Sequence, residues 1–207
     1  MTPTPAPAEK TRRRSREELR KATLDAARRI IAESGPEALT ARRLASDVGY
    51  TAGTIYNLFD SLPDVLWHVN HENFARIAAL FGDLPGQDAT ARLRALAGRY
   101  LDLVQEEPSL FRAIFEGPRV SESFPQWYTD AIDDLMNAIA AEVVQIAPDL
   151  SPSAARQEAA RLFAAIQGIA SLYVSGRLPM ITDAGAKELA DGLVARVLGD
   201  LARDAHG

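Results

Sequence analysis

The sequence predicts an all-α fold of about nine helices. Three observations support this prediction: apolar residues recur at spacings of three and four, glycine or proline separates the segments, and no segment alternates apolar and polar residues. The composition, 47% apolar and 25% charged, is typical of a globular protein. A length of 207 residues allows a hydrophobic core with a smaller module attached.

The composition excludes several classes of protein. The chain has no cysteine, which rules out disulfides and thiolate metal sites. No apolar run approaches the roughly 20 residues that a membrane span needs. The first residues contain prolines where a secretory signal has an apolar segment. We therefore expect a cytoplasmic protein with no membrane partner.

Charge is distributed unevenly along the chain. The net charge of −5 disfavours contact with phosphate, but residues 1–60 contain 11 Lys/Arg and 8 Asp/Glu, a net +3, whereas 61–207 carry −8. Residues 1–15 include Arg12, Arg13 and Arg14 and almost nothing apolar, so this segment is predicted to be a disordered basic arm. The charge pattern indicates a basic N-terminal region followed by an acidic remainder of the chain.

Helix boundaries follow from capping and breaking residues. Ser34-Gly35-Pro36 ends the first helix, Thr40 and Thr51 can cap the next two, and Gly49 can form the left-handed turn between them. Pro63 is tolerated in the first turn of the fourth helix. The predicted helices span residues 17–34, 41–48, 51–59, 61–84, about 93–107, 110–116, 126–147, 152–176 and 184–204. The second and third have the spacing of a helix-turn-helix, although plain core packing could also place glycine between short helices.

Residues 39–59 read Leu-Thr-Ala-Arg-Arg-Leu-Ala-Ser-Asp-Val-Gly-Tyr-Thr-Ala-Gly-Thr-Ile-Tyr-Asn-Leu-Phe, and residues 17–75 resemble the TetR family of transcriptional regulators. The resemblance implies a DNA-binding domain at 16–76, with its third helix in the major groove, and an effector-binding and dimerisation domain at 77–207. Arg42 and Arg43 could equally be exposed helix residues. The expected DNA contacts are Thr40, Arg42, Arg43, Tyr50, Thr51, Ala52, Gly53, Thr54, Tyr56 and Asn57.

One position departs from the family pattern. A lysine that contacts phosphate usually follows the serine that opens the fourth helix, but here Leu62 follows Ser61. The basic arm, with Lys10, Arg12–Arg14 and Arg16, is a candidate substitute that follows the backbone or enters the minor groove. The alternative is a solubilising tail.

Residues 99–115 resemble the helix-Pro-helix segment of TetR regulators whose ligand domain is named for a Trp-His-Gly motif. Phe163 and Gln167 stand at the Trp and His positions, and only Gly168 is retained. The domain is expected to enclose an apolar cavity for a small molecule, although core packing explains any single aromatic residue. The predicted effector-binding set is Phe111, Phe115, Trp127, Phe163 and Gln167.

Helices 152–176 and 184–204 are the expected dimer surface, because small residues allow close approach and leucines and valines form a stripe; the alternative is monomer core. The small residues are Ala159, Ala160, Ala164, Ala165 and Gly168. A two-fold dimer suits a pseudo-palindromic operator.

The predicted function is a nucleoid-associated repressor that binds double-stranded operator DNA as a homodimer and is released by a small-molecule effector. The alternatives are a helical adaptor, or an activator that works without such release. His68, His71 and Glu72 share a helical face and could bind a metal, but a solvated or domain-interface face is favoured over a metal site. We expect no enzyme activity, no cofactor and no metal.

Overall fold

The computed structural model describes residues 15–82, 84–85, 88–115 and 124–204. Across these ranges the chain forms nine α-helices, two short 3-10 turns and no strand, so the predicted all-α fold is confirmed. The predicted basic arm lies outside the described residues except for Ser15. The helices are α1 (Arg16–Ser34), α2 (Ala41–Val48), α3 (Ala52–Tyr56), α4 (Leu62–Ala79), α5 (Ala89–Glu106), α6 (Pro108–Phe115), α7 (Gln126–Ile146), α8 (Pro152–Val174) and α9 (Ala186–Asp204).

The first hydrophobic core lies between α1, α2, α3 and the beginning of α4. Leu44, Ile55 and Val65 are fully buried in it. The Thr40 hydroxyl accepts a hydrogen bond from the Arg43 amide at 3.2 Å and caps α2, as the sequence predicts. Gly49 then adopts φ +78°, the left-handed conformation that turns the chain toward α3. Local sequence and packing thus agree on the helix-turn-helix.

The second hydrophobic core lies between the end of α4 and helices α5 to α9. Helix α7 packs most extensively on α8, and α5 on α9. Leu101, Val143 and Leu198 are almost completely buried there. Arg92 on α5 also forms a bidentate ion pair with Glu142 on α7, with a closest distance of 2.7 Å. These contacts hold the larger core together around α5.

Three predicted helix boundaries are wrong, and each error has a physical reason. Helix α3 ends at Tyr56, because the Leu58 amide donates to the Ile55 carbonyl three residues earlier, at 3.0 Å, and the series of bonds to the fourth preceding residue is interrupted. Helix α4 ends at Ala79 and not at residue 84, since the Arg99 guanidinium binds the carbonyls of Leu80 and Gly82 beyond its end, at 3.1 and 2.7 Å. Helix α5 begins earlier than predicted.

The early start of α5 results from an N-cap that the sequence analysis missed. The Asp88 carboxylate accepts a hydrogen bond from the Ala91 amide at 2.7 Å, so α5 begins at Ala89. At the other end of the chain, α8 and α9 match their predicted ranges to within about two residues at each end. Differences of that size are ordinary at helix ends.

Two helices connect the two cores. Along α4, Val69 belongs to the first core and Ile77 to the second. On α6, Ala113 is 1% exposed and belongs to the first core, whereas Phe111 is 5% exposed and belongs to the second. The division of the chain into two domains at 76/77 stays a prediction. Helix α6 follows that point in the sequence but packs against helices of both cores. Where helices are described, none is long and apolar enough to cross a bilayer.

The substitution Gly49→Ala should lower the free energy of unfolding by about 1 kcal/mol, because a side chain disfavours the left-handed conformation. A Cβ at this position would meet no atom within 4 Å, so the cost is conformational and not steric. Gly98→Ala in the interior of α5 is the control, since its Cβ would meet only Lys187 Cε at 3.9 Å. Urea unfolding should show Gly98→Ala at least as stable as wild type. Equal stability of Gly49→Ala and wild type would contradict the assignment of this turn.

Candidate nucleic-acid interface and buried cavities

Helix α3 presents an exposed face beside α2. Ile55 is 1% exposed and fixes the inner side of α3 in the first core. Tyr56 is 53% exposed although it is a large aromatic residue, and Asn57 follows it on the surface. Single exposed aromatic side chains need no explanation in general, but this one belongs to the predicted recognition segment. The outward face is therefore available to a partner.

The beginning of α3 combines a cap with an open backbone. The Thr51 hydroxyl accepts a hydrogen bond from the Thr54 amide at 3.4 Å, and the two hydroxyls lie 3.1 Å apart. A Cβ at Gly53 would meet no protein atom closer than Thr51 Oγ1 at 3.8 Å. Packing within the chain therefore does not require a glycine there. Because glycine has no side chain, the backbone at Gly53 is open to close approach by a partner.

The two arginines of α2 have different surroundings. Arg43 Nη2 lies 3.9 Å from a carboxylate oxygen of Glu33, at the limit of an ion pair. Arg42 is exposed and has no acidic partner among the residues that the structure describes. Arg42 is therefore the better placed of the two to bind an external phosphate. Thr40, exposed at the start of the same helix, has its hydroxyl engaged as the cap.

Arg20 of α1 fixes the segment that follows α3. Its guanidinium donates to the Leu58 carbonyl at 2.7 Å and to His68 Nε2 at 2.5 Å, and its carbon lies 4.3 Å from the centroid of the Phe59 ring. Arg16 adds a longer hydrogen bond to the Asn57 carbonyl at 3.4 Å. The sequence analysis missed these roles, because the partners are 38 to 48 residues apart and no local pattern reveals them.

The same contacts bear on the alternative of a metal site at His68, His71 and Glu72. His68 accepts from Arg20, Glu72 forms a 3.0 Å ion pair with Arg28, and the His71 ring packs on Trp127 at 4.8 Å. Within the described ranges, no group of three potential metal ligands comes together. These side chains instead contact neighbouring helices.

Burial lowers the pKa of His68, and the positive charge of Arg20 lowers it further. His71 acts in the same direction, whereas Asp64 and Glu72 oppose the shift. Asp64 lies 3.4 Å from the His68 ring, but its effect is smaller than that of burial and Arg20. His68 is therefore neutral near pH 7, which leaves Nε2 free to accept the hydrogen bond from Arg20.

The second core contains a small apolar cavity of about 60 Å³, called the core cavity below. Tyr100 contributes its ring to the wall, and burial raises the pKa of its hydroxyl, which stays protonated and donates to Gln167 Oε1 at 2.5 Å. The lining residues are Ile77, Leu80, Phe81, Leu93, Leu96, Ala97, Tyr100, Leu135, Ile139, Leu162, Phe163, Ile166 and Val194.

A second cavity, the α6 cavity, measures about 20 Å³ and lies between α4, α5 and α6. Ile77 and Tyr100 line both cavities. At its polar end, Arg76 and Glu107 form a two-fold ion pair with one hydrogen bond of 2.9 Å. Asn73 also lines this cavity, and it is 4% exposed.

Two buried asparagines of α4 carry unpaired polar atoms. Asn70 donates to the Ala113 carbonyl at 3.0 Å, but its Oδ1 has no hydrogen-bond partner in the described part of the chain. Asn73 Nδ2 has no hydrogen-bond partner among the described residues. An unpaired buried donor of this kind costs about 1–3 kcal/mol. Apolar side chains would avoid that cost, so the asparagines point to a role besides stability.

The structure brings together four of the five predicted effector residues. Phe111 and Phe115 lie 5.0 Å apart, and Phe115 and Phe163 6.4 Å apart, measured between ring centroids. Phe111 and Phe115 line the α6 cavity, and Phe163 lines the core cavity. Gln167 accepts a hydrogen bond from the hydroxyl of Tyr100, a residue that lines both cavities.

Trp127 does not join that group, contrary to the expectation of one joint set. It lies on the first turn of α7 and packs against α4, with its ring 6.1 Å from Trp67 and 6.2 Å from Phe74. It lines a surface groove of about 340 Å³ together with His71 and Asp134. Aromatic composition alone cannot separate the two clusters, because the distinction depends on which helix α7 packs against.

A helix-turn-helix with an exposed third helix, joined to a helical domain with buried cavities, is the architecture of a one-component DNA-binding regulator. The family model for bacterial regulatory proteins of the tetR family matches residues 24–62, and the tetracyclin repressor-like C-terminal domain matches residues 93–197, about half of the chain. The chain therefore belongs to the TetR family. It is a DNA-binding transcriptional regulator and not an enzyme. The resemblance to the Trp-His-Gly subfamily stays a prediction.

Solved structures share the fold. A protein of unknown function from Rhodococcus sp. RHA1 is 24% identical, with a TM-score of 0.73 over 94% of this chain and 100% of that chain. A tetR-family transcriptional regulator from Streptomyces coelicolor is 19% identical, with a TM-score of 0.68 over 91% and 88%. FadR from Bacillus subtilis, solved with stearoyl-CoA, is 20% identical, with a TM-score of 0.63 over 88% and 97%. No curated protein matches the chain.

The His68 contacts predict a pH dependence of stability. The unfolded chain binds a proton at His68 near pH 6.5, whereas the folded chain binds it only at lower pH. The contribution of neutral, buried His68 to the free energy of unfolding is fully present above about pH 6.5. It is lost as the pH falls from there through the pKa of His68 in the folded chain. His68→Gln can still accept from Arg20 but does not titrate in this range. Its melting temperature should therefore fall less between pH 7.5 and 5.5 than that of wild type.

His71→Gln is the matched control, because His71 is exposed on the same helix and is one of the smaller causes of the lowered His68 pKa, so its slope should stay closer to that of wild type than to that of His68→Gln. Thermal unfolding followed by circular dichroism measures all three proteins. Parallel slopes for wild type and His68→Gln would show that His68 does not link protonation to folding.

Proposed function

We propose that this chain is a homodimeric repressor that binds a pseudo-palindromic operator and is released by a small-molecule effector. The observation that carries the proposal is the double role of α6. Phe111 and Phe115 of this helix line a cavity in the second core, whereas Ala113 is buried in the core of the DNA-binding helices. A ligand that moves the cavity wall therefore acts on the helix-turn-helix by direct packing.

The DNA-binding surface proposed is the exposed face of α3 with the start of α2. Small residues at the start of α3 allow the backbone to approach base edges, and the hydroxyl groups can bind bases or phosphates. Leu62 is half-buried against the first core and supplies no phosphate contact, so the basic arm remains the proposed substitute. The contact residues proposed are Thr40, Arg42, Arg43, Tyr50, Thr51, Ala52, Gly53, Thr54, Tyr56 and Asn57.

The outer faces of α8 and α9 support the proposed dimer. Ala160, Ala164 and Gly168 lie on the surface of α8 at spacings of four residues. Ala159 of α8 and Val194 of α9 are buried within the single chain. These two residues therefore belong to the monomer core and not to the proposed dimer interface. The exposed small residues allow two α8 helices to approach closely. A two-fold axis there would present two α3 helices to two operator half-sites.

The small size of the cavities supports a mechanism in which the effector displaces side chains of the cavity wall and thereby releases the protein from DNA. Sites for drug-sized ligands measure about 300–1,000 Å³, and the core cavity measures about 60 Å³. An effector of ordinary size that enters the core cavity or the α6 cavity must therefore displace wall residues such as Phe115 and Phe163. The FadR structure contains stearoyl-CoA, which supports a ligand with a long apolar part in this fold.

Helix α6 contacts the DNA-binding helices directly, so a displacement of the cavity wall would also move those helices. Asn70 of α4 donates to the Ala113 carbonyl at 3.0 Å, and Arg112 pairs with Glu37, in the turn between α1 and α2, at 3.1 Å. These contacts link α6 to both sides of the DNA-binding core. Ligand binding then favours an arrangement in which the two α3 helices no longer fit their half-sites.

Arg42→Ala tests the DNA-binding surface. The protein should bind DNA from its own upstream region with two chains for each site, and the affinity should fall as salt rises. Loss of one phosphate contact per chain should weaken binding to all sequences alike and reduce the salt slope by about 0.9 per contact. Fluorescence anisotropy between 50 and 300 mM KCl measures both effects.

Arg177→Ala, between α8 and α9, removes the same charge from an exposed position outside the proposed DNA-binding surface and is the control. An unchanged salt slope in Arg42→Ala would exclude Arg42 from the interface. Absence of any binding to the upstream region at low salt would contradict the proposed operator, and binding that no compound releases would favour an activator without an effector.

A further inference from the structure

The two cavities of the second core are neighbours. Ile77 and Tyr100 line both the core cavity and the α6 cavity, so these two side chains belong to a wall that the cavities share. The wall of the core cavity is apolar apart from the hydroxyl of Tyr100. The α6 cavity has a polar end formed by Asn73, Arg76 and Glu107. A molecule that fills both spaces must therefore be amphipathic.

Asn73 supplies a specific requirement for the polar end of that molecule. Its side chain is 4% exposed, lines the α6 cavity, and has an Nδ2 with no hydrogen-bond partner in the described part of the chain. A buried N–H donor without a partner is unfavourable and is satisfied by an oxygen acceptor. The other buried donor beside these cavities, the Tyr100 hydroxyl, is already engaged by Gln167 at 2.5 Å.

The charges around Asn73 disfavour an ionic head group. The Arg76 guanidinium donates two hydrogen bonds to the Glu107 carboxylate, and these bonds lower the pKa of Glu107, which keeps both groups charged. Their charges cancel. Among the described residues that line this cavity, a carboxylate finds no unpaired cation and an ammonium group finds no unpaired anion, so an ionic head group has to compete with the partly exposed Arg76–Glu107 pair for a counter-charge.

We infer that the effector is an uncharged, mainly apolar molecule with one carbonyl acceptor, such as a ketone, ester or amide, at one end. This inference rests on the proposed function of these cavities as the effector site. The carbonyl oxygen accepts a hydrogen bond from Asn73 Nδ2, and the apolar chain extends past Tyr100 into the core cavity. Entry of the chain displaces Phe115 and Phe163, which belong to the partly buried shell of the core.

The test compares 2-octanone with 2-methyl-1-octene, in which a C=CH₂ group replaces the C=O group at nearly constant shape. Isothermal titration calorimetry on the full-length protein gives the dissociation constant of each probe for wild type and for Asn73→Leu. The preference for the ketone over the alkene should be about tenfold greater in wild type than in Asn73→Leu, which corresponds to one hydrogen bond. Octanoate and octylamine should bind wild type more weakly than 2-octanone.

Asn137→Leu on the exposed face of α7 is the matched control and should keep the wild-type preference. Asn73→Ala serves as a second variant if Asn73→Leu does not fold. An equal preference in wild type and both Asn73 variants, tighter binding of octanoate or octylamine, or no binding of any probe would overturn the inference.

Operator binding by the same wild-type preparation separates this inference from the proposed function. Wild type that binds its upstream DNA without the expected ketone preference contradicts the ligand class alone. Wild type that shows the ketone preference without binding DNA contradicts the proposed repressor and leaves the ligand class supported.

Discussion

The packing of α6 between two hydrophobic cores is the constraint on which the structure depends. Phe111 and Ala113 are two positions apart, which places their side chains on different faces of the helix. Phe111 is buried in the second core, and Ala113 is buried in the first core. Burial of a phenylalanine side chain stabilises a protein by about 1.5–3 kcal/mol. Since protein cores are densely packed, α6 cannot shift at one face without disturbing the other.

The recognition helix depends on the same framework. Helix α3 has five residues, far fewer than an isolated helix needs to be stable in water. Its orientation comes from Ile55 in the first core, from the Thr51 cap, and from Arg20 of α1, which holds the Leu58 carbonyl just beyond it. Helix α1 in turn packs on α6. A movement of α6 therefore reaches α3 through α1 and α4, with no need for a long-range mechanism.

Local physical chemistry made much of this architecture predictable from the sequence. Thr40, Gly49 and Thr51 define α2, the turn and α3 through capping and a left-handed conformation, all of which act within a few residues. Apolar spacing gave the order of the helices and their approximate bounds. The family pattern in residues 39–59 then identified the exposed face of α3 as the candidate interface.

The remaining features depend on contacts between distant parts of the chain. The end of α4 is set by Arg99, and Trp127 packs on α4 because of where α7 docks. Neither contact has a local sequence signature. In the sequence, Asn73 is indistinguishable from an exposed polar residue on a helix, and only the structure shows that it is buried. The role proposed for Asn73 becomes recognisable only when burial and hydrogen bonding are seen together.

The most direct test of the central claim is hydrogen exchange of the α6 amides with and without operator DNA. Because coupling between two sites is reciprocal, DNA bound at α3 should slow exchange at residues 111–115, although these lie outside the DNA-binding surface. Asn70→Leu, which removes the hydrogen bond to the Ala113 carbonyl, should reduce that protection while the protein still binds DNA. Protection confined to α1–α4, with α6 unchanged in wild type, would contradict the claim.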